Sequence, residues 1–269
     1  IQLSSNRAIK NPYLIGTRFS FNPLNGLTIG LTRMLMFGGD GKDNSLSSFW
    51  DSILGNESKR KNSLDGNIDN ELAGFDLKYS FEINNLVWSF YGQYIGEDGT
   101  DYWPWRTFYL AGTEFLFYKQ GKLNSINLEY VDTFYKGVGV GSTQNELRAD
   151  IIYEHESYKS GYRYKGLPIG AFIDGDSNYF QFSFIGELND IANVEFSLIY
   201  GNFNKDRSGV MNSWGLTNED FFGVVLNFDF LINQQIEAGL NITSLSEALN
   251  YKEKVLDKNI VGIDFNYRF

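Results

Sequence analysis

The chain has 269 residues, a formal net charge of −10 and no cysteine. The acidic balance argues against a general nucleic-acid binder, and the absence of cysteine excludes a disulfide framework and thiolate chemistry. No apolar stretch reaches the roughly 18 residues that a transmembrane helix needs. Aromatic residues make up 17% of the chain, glycine occurs 28 times and proline only 4 times. This composition is typical of many strands joined by turns.

Apolar and polar residues alternate along most of the chain, with the period of two that indicates β-strands. In residues 71–82, for example, Phe75 and Leu77 alternate with Asp76 and Lys78. Ten residues of a tilted strand cross roughly 25 Å, the height of the apolar band of a membrane barrel. The pattern predicts about twelve strands, at residues 1–5, 13–22, 26–37, 71–82, 86–97, 107–117, 123–134, 178–187, 193–202, 221–230, 235–244 and 259–269.

Short and long connections alternate along this series of strands. The long connections span roughly residues 38–70, 98–106, 135–177, 203–220 and 245–259. Outer-membrane barrels have short periplasmic turns and longer external loops, whereas a soluble sandwich has no reason to keep that order. We therefore predict an all-β protein, in which residues 1–269 form one antiparallel transmembrane β-barrel of the bacterial outer membrane. The alternative is a soluble β-sandwich or lectin-like barrel.

The two faces of the predicted strands carry different side chains. Phe182, Phe196, Phe228 and Phe265 are expected to face outward. Charged residues of both signs are expected to face inward, which predicts a salt-bridged and mostly occluded lumen. These residues are Arg18, Asp76, Lys78, Glu114, Glu129, Glu195, Asp229, Glu237, Asp264 and Arg268. If the charges do not pair across the lumen, the same interior would let ions pass, as in a porin.

One long connection contains a helical pattern. Leu46, Phe49, Trp50 and Ile53 recur at helical spacing, and Gly55 follows as a C-terminal stop. The pattern predicts a short amphipathic helix over residues 45–55 that folds into the mouth of the barrel.

A series of motifs resembles the Wzi family of capsule-assembly outer-membrane proteins, in the same order along almost the whole chain. They include "GTRFSFNPLNGLTIGLTR" (16–33), "FGGDGK" (37–42), "SFWDSILG" (48–55), "NELAGFDLKYSF" (70–81) and "GYRYKGLPIGAFIDGDS" (161–177). The resemblance implies a lectin-like protein that holds capsular polysaccharide on the cell surface. It also implies a larger barrel of about eighteen strands with an N-terminal helical bundle. The sequence contains about two thirds of those strands and no bundle, which suggests a fragment or a reduced form.

Aromatic and charged residues in the long connections are candidates for polysaccharide contact. Aromatic rings can stack on sugar rings, and Arg163 and Lys165 could pair with the carboxylates of an acidic capsule. The alternatives are an aromatic girdle at the membrane interface for the tryptophans and a structural loop for residues 161–166. The candidate residues are Tyr102, Trp103, Trp105, Tyr162, Arg163, Tyr164, Lys165, Asp174, Asp176 and Trp214.

Metal, cofactor and enzyme chemistry find little support in the sequence. Asp174 and Asp176, like Asp40 and Asp43, lie beside glycines and could offer oxygens to Ca²⁺, but turn formation explains them better. His155 is the single histidine, and no motif marks a serine near it as an activated nucleophile. We therefore expect no cofactor, no metal and no enzymatic activity. The expected partners are a surface glycan and outer-membrane lipid, including lipopolysaccharide, and the expected state is a monomer.

Overall fold

The computed structural model describes residues 9–54, 69–100, 103–134, 152–155, 158–205, 213–214, 218–251 and 254–267. In these ranges one antiparallel sheet contains eleven strands, in which each strand pairs with the next sheet strand along the chain. The strands are β1 (Tyr13–Leu24), β2 (Leu27–Phe37), β3 (Asn70–Ile83), β4 (Leu86–Thr100), β5 (Trp103–Lys119), β6 (Lys122–Asp132), β9 (Asn178–Asn189), β10 (Ala192–Phe203), β11 (Glu219–Leu231), β12 (Ile236–Leu245) and β15 (Asn259–Tyr267).

Two hairpins and one helix lie in the long connections. The hairpins are β7 (Arg163–Tyr164) with β8 (Leu167–Pro168), and β13 (Leu249–Tyr251) with β14 (Lys254–Leu256). The helix α1 covers Leu46–Ile53. No helix in the described part of the chain is long and apolar enough to cross a membrane.

Eleven of the twelve predicted strands are confirmed, and their ends differ from the predicted ones by at most four residues. The predicted strand at residues 1–5 lies outside the described residues. β1 and β15 form the two edges of the sheet, and the described residues contain no ladder between them.

The connection between β4 and β5 corrects the prediction of a long loop at residues 98–106. The two strands stay paired to their ends, where Gly99 lies opposite Pro104 and Thr100 opposite Trp103. Trp103 and Trp105 therefore belong to a long hairpin, and only residues 101 and 102 separate its strands. Aromatic residues favour extended backbone, so Trp103 and Trp105 allow β4 and β5 to stay paired beyond the residues in which apolar and polar side chains alternate.

The short turns follow the local chemistry of hairpins. Asn84 and Asn85 both have positive φ, at 54° and 62°, as do Gln120 and Gly121, at 53° and 76°. Positive φ at both central residues defines a type I′ turn, whose twist matches that of the flanking strands. These turns define the short-turn end of the sheet, opposite the long-loop end.

The strand faces are as the alternation predicts. Phe196 lies opposite Phe184 and Leu226, and Phe265 lies opposite Ala238, all on one apolar face. Phe182 and Phe228 lie on the same face, and Phe265 is 70% exposed. The long loops pack against the other face, so the phenylalanine face is the outer one and this prediction is confirmed.

Helix α1 forms as predicted but lies in a different place. Ser45 is its N-cap and accepts a hydrogen bond from the backbone N–H of Ser48, the interaction that favours serine at this position. The helix docks against Arg33 and Phe37, which alternate with inward-facing Met34 and Met36 and so belong to the outer face. The expectation that α1 folds into the barrel mouth is therefore wrong, because its anchoring residues point away from the lumen.

Candidate functional site

The long loops form a core over the inner face of the sheet at the long-loop end. One apolar cluster joins Met36, Leu72 and Phe108 of the strands to Tyr153 and Tyr162 of the 152–177 loop. A second cluster packs loop residues onto the ends of β6 and β9 to β12; it contains Val131, Ile173, Tyr179, Phe203, Trp214, Phe221, Leu245 and Leu249. We call residues 152–155, 158–177 and 213–214 the loop core.

Arg163 lies at the centre of the loop core. Its side chain is 1% exposed, and that of its partner Asp174 is fully buried. The guanidinium donates to Asp174 at 2.5 and 3.1 Å and to Glu154 at 3.0 Å. Burial by itself lowers the pKa of Arg163, but the charges and hydrogen bonds of Asp174 and Glu154 outweigh this and raise it. The guanidinium therefore stays charged inside the loop core.

Asp174 connects two different loops. Its carboxylate accepts hydrogen bonds from the hydroxyl of Ser213 at 2.6 Å and from the backbone N–H groups of Ser213 and Gly175 at 2.9 and 2.7 Å. Its φ of 61° is in the left-handed region, which aspartate tolerates better than most residues. The hydrogen bonds between Asp174 and Ser213 thus fix the 158–177 loop to the connection between β10 and β11.

Asp176 closes the same turn through its backbone. Its N–H donates to Thr133 O at 3.2 Å, its carbonyl accepts from Lys205 N–H at 2.8 Å, and its φ is 54°. The structure uses both aspartates of "DGDS" as turn residues, in keeping with the turn interpretation. In the described residues, acidic side chains and His155 form no cluster that could hold a metal ion.

Five of the ten candidate residues are buried, which argues against direct polysaccharide contact for them. Besides Arg163, Asp174 and Asp176, these are Tyr162 and Trp214. The hydroxyl of Tyr162 donates to the carbonyl of Asn70 at 2.6 Å, and Trp214 packs on Phe203 at 4.4 Å between ring centroids. The charges of Arg163 and Asp174, the Tyr162 hydroxyl and the Trp214 ring have partners inside the protein, and Asp176 bonds through its backbone. We therefore interpret these five as residues that shape the loop core.

Tyr164 and Lys165 lie at the surface of the loop core. They form the tip of the β7–β8 hairpin, where Lys165 and Gly166 have φ of 51° and 77°. Lys165 Nζ lies 5.3 Å from the centroid of the Tyr164 ring, within cation–π range. Among the candidate residues whose side chains are described, these two are the ones that reach solvent. Tyr102 lies outside the described residues.

Two ion pairs lie on the inner face of β1 to β5. Arg18 donates to Asp76 at 2.5 and 2.8 Å, and Lys78 lies 3.5 Å from Glu114. A Cβ at Gly30 would clash with the Asp76 carboxylate, so glycine leaves the space that the first pair occupies. A polar groove of about 510 Å³ lies along this wall. The expectation of inward charges that pair with each other is confirmed here.

The other half of the inner face has a different arrangement. Glu195 accepts from the Asn227 amide at 3.0 Å, and Asp264 accepts from the Asn241 amide at 2.9 Å. The side-chain partners described for Glu195 and Asp264 are amides and a serine hydroxyl. Neutral donors therefore take the place of the expected cations at Glu195 and Asp264. Arg268 lies outside the described residues.

Sequence reasoning missed the partners of Arg163. Glu154, which accepts from Arg163, lies 9 positions from it, and Ser213, which donates to its partner Asp174, lies 39 positions from Asp174; neither belongs to a motif. Of the features around Arg163, only the left-handed turns at Asp174 and Asp176 could be predicted from the sequence, through the motif "DGDS". His155, the single histidine, accepts the backbone N–H of Tyr158 on Nδ1 at 3.3 Å, and this bond shapes a turn of the loop core.

These features together define a class of protein. An antiparallel series of strands has an apolar outer face, a polar inner face, short turns at one end and long, folded loops at the other. Lipid outside and water inside account for this division. The chain is an outer-membrane β-barrel protein.

The chain belongs to the capsule assembly protein Wzi family, whose model matches residues 2–259. It is similar to Wzi of Escherichia coli, an outer-membrane protein involved in group 1 capsule assembly and described as a carbohydrate-binding β-barrel, with a TM-score of 0.80 and 25% identity. That match covers 100% of this chain and 54% of the other. An uncharacterised 55.8 kDa protein of the cps region of Klebsiella pneumoniae is 39% identical over 115 residues, which are 42% of this chain and 22% of the other. The chain thus spans about half or less of the length of these relatives.

Proposed function

We propose that this protein binds a capsular or other surface polysaccharide at the outer membrane and holds it on the cell without chemical turnover. The family and the similarity to a carbohydrate-binding barrel support this proposal. The observation that carries it is the β7–β8 hairpin, which presents Tyr164 and Lys165 to solvent on the buried base of Arg163 and Asp174. A fixed base matters, because a preorganised contact loses less conformational entropy when it binds.

Each contact of this hairpin with a polymer would be weak. Stacking on one aromatic face contributes roughly 1–3 kcal/mol in the better-studied case of nucleobases, and an exposed ion pair contributes about 0–1 kcal/mol. Many copies of the protein that bind one long polymer would hold it through avidity. Lys165 favours a polymer with acidic sugars. Trp103 and Trp105, on the β4–β5 hairpin at the same end of the sheet, are further candidates.

The test replaces both exposed residues, Tyr164→Ala with Lys165→Ala. We expect cells with this variant to release polysaccharide into the medium, while the barrel stays folded and heat-modifiable on a gel. Lys119→Ala is the matched control, since Lys119 is an exposed lysine at the short-turn end. Parental amounts of polysaccharide on cells with the double variant would contradict the role of this hairpin. Arg163→Ala is unsuitable as a test because it would also disrupt the loop core.

A passive channel is the second candidate function, and the polar inner wall favours it. The groove of about 510 Å³ beside Arg18, Asp76, Tyr91 and Glu114 could hold water and ions. Against it, the loop core covers the inner face at the long-loop end. Planar-bilayer recordings distinguish the two functions. We expect little steady current from the intact protein, and a large open-channel conductance would favour the channel.

A further inference from the structure

An amphipathic helix of a soluble protein buries its apolar side against the core. Helix α1 instead buries polar residues and exposes apolar ones. Ser48 and Ser52 are buried against the sheet, whereas Leu46, Trp50 and Leu54 are 71%, 52% and 66% exposed. These three residues are four positions apart and therefore lie along one side of the helix. We call them the apolar stripe of α1.

The attachment of α1 fixes which way the apolar stripe faces. Arg33, on the outer face of β2, donates to the carbonyl oxygens of Ser52 and Ile53 at the C-terminal end of the helix and forms an ion pair with Glu71 of β3. A cation at this end also complements the helix dipole. Ser52 Oγ donates to Asp69 at 2.6 Å. The polar side of α1 is thus held on the outer wall, and the apolar stripe faces away from the protein.

The apolar stripe continues the outer face of the sheet. Aromatic rings run without a break from Tyr13 to Phe37 at 5.4 Å, on to Phe49 at 5.8 Å and to Trp50 at 5.1 Å. Farther toward the short-turn end, beyond Arg33 and buried Leu35, the outward-facing Leu31 of β2 is 51% exposed, as is expected of a lipid-facing residue. The helix therefore lies at the upper border of the apolar band, where barrels carry an aromatic girdle.

We propose that α1 is an interfacial helix whose apolar stripe inserts into the outer leaflet of the membrane. The occupant of this surface is lipid at the boundary between acyl chains and headgroups, where a helix with one apolar face and a tryptophan binds. The argument rests on the continuity of the stripe with the lipid-facing surface. This role is separate from polysaccharide binding, since α1 is outside the barrel and the β7–β8 hairpin packs over its inner face.

The absence of cysteine in the native chain allows a direct measurement of depth. Spin labels are attached to the single-cysteine variants Leu46→Cys, Trp50→Cys and Leu54→Cys, and to Ser47→Cys as the control at the polar border of the same helix. The protein is reconstituted in vesicles of outer-membrane lipid. Collision of each label with oxygen, which concentrates in the bilayer, is compared with collision with a water-soluble nickel complex.

We expect the three stripe labels to collide more often with oxygen than with the nickel complex, and the Ser47 label to show the reverse. Stripe labels as accessible to the nickel complex as the Ser47 label would overturn the proposal, because α1 would then stand in water. Stripe labels shielded from both reagents would also overturn it, because a protein surface would then cover the helix. Heat-modifiability on a gel shows whether each variant has folded. If one substitution prevents folding, the other two positions still test the proposal.

Discussion

The loop core and the inner wall of the barrel both contain ion pairs, but the pairs differ in their access to water. Arg163 and Asp174 are 1% and 0% exposed, whereas Lys78 and Glu114 are 51% and 25% exposed. Charges attract more strongly in a low dielectric, and a buried charge that loses its partner cannot recover hydration. The buried pair therefore determines the conformation of the external loops. The exposed pairs set the charge of the inner wall with little effect on its stability.

The largest effect is expected from Arg163→Met. This change leaves Asp174 buried without its cation, which costs about 3–5 kcal/mol when one partner of a buried pair is removed. Hydrogen exchange of the amides in residues 158–177 measures the free energy of local unfolding, and we expect it to fall by that amount. The eleven strands of the large sheet should keep their protection, because none of them contains a residue of this pair.

The double variant Arg163→Met with Asp174→Leu separates the missing charge partner from lost packing. Removing both charges should recover part of the loss, since two apolar residues leave no isolated charge. Some loss should remain because Ser213 loses its acceptor. If the double variant were as unstable as the single one, the stability of the loop core would not depend on charge pairing.

A smaller effect is expected from Tyr162→Phe. The ring stays in its apolar cluster, but the hydroxyl that donates to Asn70 O is lost. A buried acceptor left without its donor costs about 1–3 kcal/mol. Hydrogen exchange should show this loss in the loop core, and Tyr164→Phe is the control because Tyr164 is at the surface. An equal loss in both variants would contradict the importance of the buried hydrogen bond.

Alkaline pH tests the same core through Tyr153. Burial and the charges of Asp174 and Glu97 raise the pKa of Tyr153 well above that of a free phenol, with the hydrogen bond from Ala171 acting in the other direction. Because the folded pKa is above the unfolded one, the stabilising contribution is complete below about pH 10 and is lost as the pH rises toward the folded value. Loop-core protection should fall above pH 10. Tyr153→Phe should make the loss of loop-core protection above pH 10 smaller. A pH profile of this variant identical to that of the native protein would contradict the role of Tyr153.

The sequence predicted the sheet well and the candidate site only in part, for physical reasons. In β3 and β10, apolar and polar residues alternate because one face of the strand contacts lipid and the other contacts water. The strand positions can therefore be predicted from the local sequence. The burial of Arg163 depends on Asp174, Glu154 and Ser213, which come together only when the loops fold. The helical spacing of Leu46, Phe49 and Trp50 predicted α1 itself. It could not predict the side that faces the sheet, since the outer wall has lipid rather than water around it.

The smallest effect is expected on the inner wall. Lys78→Met removes the cation beside Glu114, but Glu114 is 25% exposed and keeps its contact with water in the groove. Exposed pairs of this kind contribute about 0–1 kcal/mol, so the free energy of unfolding by urea in lipid vesicles should change by less than about 1 kcal/mol. Glu114→Gln is the matched variant and should have an equally small effect. A loss from either change as large as that of Arg163→Met would mean that the wall excludes water as thoroughly as the loop core does, and the contrast between the two regions would then not hold.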